Sequence, residues 1–144
     1  MKTKRYTQAH SQRMRGKAGS LQQHTMAFKV TNKPMPVYVD NMKAKYGRLI
    51  MCHMLADSDE DLHEMADKIG VARKWHQSPP KHDSHYDIAL SKRALALEQG
   101  AIEITWKQAS AMNMRRRIEG NLGSHSEAVE WVYAHFNSRK VSTA

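Results

Sequence analysis

Apolar and polar residues begin to recur with a regular period at Val37. Val37-Tyr38-Val39, β-branched and aromatic, predicts a short buried strand ending at Asp40. Leu49 to Leu55 is almost continuously apolar and predicts a second strand, covered on both faces. Ser58 then offers an N-cap, with Asp61 three residues on as a capping-box partner. Leu62, Met65, Ala66 and Ile69 follow at helical spacing, and Gly70 supplies a left-handed stop, so a helix is predicted between the caps. Val71 to Gln77 reads as extended, Pro79-Pro80 as an enforced loop, and His85 to Ile88 as another short strand. Ser91 can cap a helix running to Gln99 and stopped by Gly100. In Ala101 to Trp106, Ile102, Ile104 and Trp106 alternate with Glu103 and Thr105, the pattern of a half-buried strand. Ala111, Met114 and Ile118 share one face of a further helix ending near Gly120. Ser124 and Glu127 then form a capping box ahead of Val129, Val132, Tyr133 and Phe136.

This order predicts an α/β fold, a small sheet of about four short strands covered by helices. Residues 37–106 form its core, and 107–144 a C-terminal helical extension packing on that core. A chain of 144 residues with 40% apolar and 26% charged residues suits one globular domain with appendages. Cys52 is the single cysteine, which excludes an internal disulfide and a Cys-rich zinc site. No apolar run approaches the length of a transmembrane helix, and no apolar stretch near residue 1 resembles a secretory signal. The expectation is a reducing, cytoplasmic setting without membrane partners.

Charge divides the chain unevenly. Residues 1–36 carry eight cations (Lys2, Lys4, Arg5, Arg13, Arg15, Lys17, Lys29 and Lys33) and no acid; fifteen cations and fourteen acids lie beyond. The arm is poor in large apolar residues and is predicted to be flexible, because burial cannot offset its ordering entropy. Three readings of it stand side by side: a phosphate-contacting tail, a solubilising extension, or a stretch outside the natural product, whose true start is then Met35, directly before Pro36.

Five of the nine histidines fall between His53 and His85, among several aspartates. Asp40 and His53 end predicted strands, where side chains of an α/β sheet face a ligand crevice. His85 and Asp87 are two apart, so extended backbone presents both on one side, with Tyr86 pointing the other way. Arg48 follows Gly47 in a loop able to approach a phosphate or carboxylate. Asp40, His53, His85 and Asp87 suit a divalent cation that activates water; equally, the histidines suit metal-free acid–base work with Arg48 stabilising negative charge. The spacing matches no compact zinc signature. Bland roles compete: His63 borders an apolar stripe, Asp40 and Asp57 suit turns or caps, and Met42, Met51, Met54 and Met65 suit core filling. Cys52 reads as a buried thiol, Arg115-Arg116-Arg117 as a solvated face, and Trp75 and Trp106 as core or groove walls.

A series of short segments carries a family resemblance. V-Y-V-D-N-M at Val37 to Met42, Y-G-R at Tyr46 to Arg48 and M-C-H-M-L-A-D at Met51 to Asp57 open it. D-L-H-E-M-A-D-K-I-G-V-A-R-K-W at Asp61 to Trp75, H-Y-D-I at His85 to Ile88, K-R-A-L-A at Lys92 to Ala96 and G-A-I-E-I at Gly100 to Ile104 continue it. Over about residues 37–106 the chain resembles the domain of unknown function numbered four thousand and thirty-one, of bacteriophages and bacteria. The resemblance implies a phage-type protein in a bacterial host, with no assigned activity. Its pattern falls on Asp40, Gly47, Arg48, His53, Asp57, His63, Arg73, His85, Tyr86 and Asp87. Where other branches place Pro and Trp after the first Asp, this chain has Asn41-Met42-Lys43-Ala44.

The reading that follows is a phage accessory enzyme, a metal-dependent phosphoester hydrolase acting on nucleic acid or nucleotide. His53, His85 and Asp87 are its expected catalytic groups. Asp40, His53, His85 and Asp87 are its expected metal ligands, and Arg48, Arg73 and Tyr86 its substrate or phosphate contacts. The alternative is a non-catalytic module binding nucleic acid, a nucleotide or a host bacterial protein.

Overall fold

A computed structural model describes residues 35–78 and 80–142. Residues 1–34 of the expected flexible arm, and Pro79, lie outside the described residues. The elements are β1 (Val37–Val39), β2 (Ala44–Tyr46), β3 (Leu49–Ala56), α1 (Asp59–Ile69), β4 (Tyr86–Ala89), α2 (Leu90–Glu98), β5 (Ile102–Glu103), α3 (Trp106–Glu119) and α4 (Ala128–Ser142). Single 3-10 turns occur at Arg73–Trp75 and Lys81–Asp83. The α/β fold with C-terminal helices is as expected, though the sheet has five strands rather than about four.

β3 is the sheet's spine. Its first half pairs with β2 and its second half with β1, both antiparallel, while β4 runs antiparallel to its middle. Met51 faces both Ala44 and Ala89, and Met54 both Val39 and Tyr86. A strand has only two edges, so β1 and β2 share one edge of β3 and β4 holds the other. β5 extends the sheet parallel to β1. The break between β1 and β2 falls at Asp40 to Lys43.

Alternation along the strands divides the interior in two. Val37, Val39, Met54, Ala56, Tyr86 and Ile88 face Leu62, Met65, Ala66 and Ile69 of α1 and Ala96 of α2. Tyr38 and Leu55 face the other way, against Ile104, Ala109, Met112, Leu122 and Ala128. α3 and α4 cover only this second patch. α1 forms as its sequence predicts: Ser58 caps it by accepting from the Asp61 N–H at 3.3 Å, and Gly70 closes it at φ 75°. Ser58→Ala should therefore lower stability by about 1 kcal/mol, read as a drop of roughly 5 °C in thermal midpoint.

Several expected boundaries move. The Ala101–Trp106 strand stops at Glu103, because Thr105 builds a capping box with Gln108 and turns Trp106 into the first residue of α3. α2 begins at Leu90, with Ser91 inside it and no side-chain cap. Ser124 bonds Ser126 rather than capping α4. The Val71–Gln77 stretch holds a 3-10 turn and a single bridge from Gln77 to His85. β2 has no apolar alternation and is fully exposed, and beside it Leu49 and Ile50 are exposed rather than covered. Trp75 and Trp106 are not core, nor is Met42; Ile118, Tyr133 and Phe136 also stay exposed on their helices.

Arg116 departs furthest from its expected place on a solvated face. It is 6% exposed, and its guanidinium donates to the carbonyls of Ala56, His82 and Ser84 and to Asn113 Oδ1 at 2.7–2.9 Å. Its neighbour Arg115 instead pairs with Glu119 on the surface at 2.9 Å. A helix run of three cations thus sends its middle member inward, as 3.6-residue periodicity permits.

Candidate metal centre

The antiparallel register of β3 and β4 sets His53 directly opposite Asp87. His85, two residues before Asp87 on extended backbone, shares that face. His53 Nε2 and His85 Nε2 each lie 3.5 Å from Asp87 Oδ1. The two rings meet edge to face with centroids 5.2 Å apart. One ligand atom from each of the three residues falls within a 4.8 Å set. Two donors about 2.1 Å from a tetrahedral ion sit about 3.4 Å apart, close to the 3.5 Å between Asp87 Oδ1 and each Nε2.

Each imidazole is fixed from behind. Asp40 Oδ2 meets His53 Nδ1 at 2.7 Å, and Asp40 Oδ1 accepts the backbone N–H of His53 at 2.8 Å and of Met42 at 3.2 Å. His85 Nδ1 meets the carbonyl of Asp83. With Nδ1 donating in both rings, both Nε2 lone pairs face Asp87. Carboxylate and carbonyl partners of this kind set tautomer and ring orientation in metal-binding histidines. Gln77 Nε2 donates to Asp87 Oδ2 at 2.7 Å, leaving Oδ1 toward the rings.

In the metal-free protein the electrostatics favour an added proton on each ring, its Nε2–H turned to Asp87. The Asp40 hydrogen bond holds His53 above its ordinary value against the opposing pull of burial. Burial would lower His85, but Asp87 and the Asp83 carbonyl outweigh it and the net direction is upward. Burial works to raise Asp40, and its bonds to His53 outweigh it, so Asp40 falls below the ordinary carboxylate value. Asp87 falls too, chiefly through His85.

For the metal-free protein these directions fix a pH dependence. Asp40, depressed on folding, stabilises above 3.8, and that contribution is lost as pH falls through its folded value. His53, raised on folding, stabilises below 6.5, and that contribution is lost as pH rises through its folded value. The pair therefore stabilises most between 3.8 and 6.5. Urea midpoints of wild type and Asp40→Asn, taken across pH with chelator present, should differ most inside that window, converge as pH falls through the folded value of Asp40, and narrow only in part as pH rises through that of His53, because the main-chain N–H groups still bond Asp40 there.

The structure gathers His53, His85 and Asp87 but separates the other expected site residues. Asp40 is 1% exposed, and its oxygens already accept three N–H groups. It stands behind the His53 ring and orients it, and is not among the three groups that converge. Tyr86 faces the α1 side, buried, with its hydroxyl 2.6 Å from His63 Nδ1. Arg73 lies after α1 in a surface ion pair with Asp67 at 2.8 Å. Arg48 occupies the exposed β2–β3 turn, five residues and about 16 Å along the strand from His53. Asp57 accepts the Leu122 N–H at 2.6 Å, a scaffold role. Asp83 and Gln77 were missed; one acts through its main chain, and the other carries no signal in its spacing.

A model of the family described as a protein of unknown function (DUF4031) matches residues 37–117. The chain belongs to the DUF4031 family. The matched stretch contains every side chain of the cluster and runs past residue 106 into α3, through Arg116. No curated protein and no solved structure matches this DUF4031 chain significantly. Among its described residues no helix is long and apolar enough to cross a membrane.

Proposed function

We propose that this DUF4031 protein is a divalent-metal-dependent hydrolase of phosphoesters, with His53, His85 and Asp87 as the metal's protein ligands. The observation that carries the reading is the convergence of two Nε2 atoms, each backed at Nδ1, on one carboxylate oxygen. Three protein ligands leave positions for water and substrate, as in catalytic rather than structural zinc sites. A bound divalent ion there would lower the pKa of water and polarise a phosphoryl oxygen.

Asp40 and the Asp83 carbonyl would act by accepting from Nδ1 and holding the rings rigid with Nε2 toward the ion, and Gln77 by aiming Asp87. The test is chelator-stripped protein titrated with zinc or manganese, followed by thermal midpoint and by turnover of a simple phosphodiester. The expected result is a metal-dependent rise in both. A wild-type midpoint indifferent to every divalent ion would overturn the reading; stabilisation without turnover would favour a binding module. The same donor set suits non-haem iron(II), so turnover requiring both iron(II) and dioxygen would replace hydrolysis.

A further inference from the structure

The face of the sheet that bears His53 and Asp87 is covered by α3 and α4 only around Tyr38 and Leu55. Over the β2–β3 hairpin no described element covers it. By alternation Leu49 and Met51 of β3 share this face with His53, and their partners Tyr46 and Ala44 share it too. Tyr46 is 75% exposed and Leu49 50%. Four residues of β3, about 13 Å, separate the Tyr46–Leu49 pair from His53. That is the length of roughly four stacked bases. Beside the loop that follows Asp40, Trp106 adds a half-exposed ring; its backbone N–H donates to Asn41 Oδ1 at 2.8 Å.

Charge along the β2–β3 hairpin has one sign. From Asn41 to Ala56 there are three cations, Lys43, Lys45 and Arg48, and no acid. Lys43 and Arg48 flank β2 at its two ends, with Arg48 in the tight turn that Gly47 makes at φ 59°. Exposed aromatic and apolar side chains between cations, on a flat sheet surface, are what unpaired bases and their phosphates require. A duplex, with its bases stacked inside, has no use for an exposed tyrosine face.

We propose that this half-face is a platform for single-stranded nucleic acid, leading the strand to the His53–His85–Asp87 cluster. Bases rest on Tyr46, Leu49 and Met51, and Lys43 and Arg48 meet phosphates. The proposal names the substrate class of the hydrolase reading and rests on it, but binding can be measured without catalysis.

The experiment uses the full chain with chelator present and a fluorescein-labelled oligothymidylate, read by anisotropy. Tyr46→Ala should weaken binding about fivefold or more and Tyr46→Phe should retain it. Arg48→Gln should reduce the salt slope by about one. A 5-bromouracil oligomer should photocrosslink to Tyr46. Equal affinities for wild type and Tyr46→Ala, crosslinks confined to residues 1–36, or equal displacement by polyglutamate would each overturn the platform. Platform binding with no turnover under any metal would leave it standing and remove the hydrolase reading alone.

Discussion

Arg116→Ala is expected to cost about 3–5 kcal/mol, more than any other single change on α3. The substitution removes a buried cation whose bonds satisfy three main-chain carbonyls, those of Ala56, His82 and Ser84. Each carbonyl left without a partner in the interior carries its own penalty of about 1–3 kcal/mol, partly relieved by entering water. The guanidinium is itself strained by burial, which pushes its pKa downward, so replacing it does recover some desolvation energy. The unsatisfied carbonyls outweigh that recovery because a methyl group cannot reach any of them. Urea unfolding should show a midpoint shift with unchanged slope. Arg116→Lys should rescue only in part, since one ammonium cannot reproduce the planar fork that spans both sides of Asp83. A loss below about 1 kcal/mol in Arg116→Ala would show that the clamp adds nothing to surface-type pairing.

His53→Ala and Asp87→Ala should each abolish metal-induced stabilisation, because either leaves two protein donors where three converged. An ion held a hundredfold above its dissociation constant raises stability by about 2.7 kcal/mol, and that increment should vanish in both variants. Metal-dependent turnover should fall with it by about two orders of magnitude or more. Asp40→Asn should fall between, weakening metal affinity about 10- to 100-fold, since it disturbs the ring's orientation and not its donor atom. The metal-free variants of His53 and Asp87 should fold, as both side chains are partly exposed in the structure. Variants that bind zinc as wild type does would remove these residues from any metal site.

Periodicity was enough to read what burial alone dictates. α1, with its apolar stripe and both caps, is where the sequence places it, and so are β1 and most of β3. The pairing of His85 with Asp87 on one face follows from two-residue alternation and is equally legible. What spacing does not reveal is register: His53 meets Asp87 only because β3 and β4 align them, across thirty-four residues of chain. Arg48 reads as a phosphate contact because it follows Gly47, and Arg73 because it falls on the family's pattern, yet local turn geometry places each away from the cluster. Trp106 misled because its alternation with Ile102 and Ile104 is a pattern, whereas the Thr105–Gln108 capping box that overrides it is a set of hydrogen bonds. Asp83 contributes a main-chain oxygen, which no side-chain pattern can announce.

The carboxylate of Asp40 fills the gap where β1 gives way to β2, tying Met42 and His53 main chain together while gripping the His53 ring. One group therefore serves architecture and chemistry at once, so the two cannot drift independently. Lineages that abandon the imidazole at this position would free the acid from one duty yet still need it to seam the sheet. Those that abandon the acid should have to redesign the connecting loop and the ring in the same step.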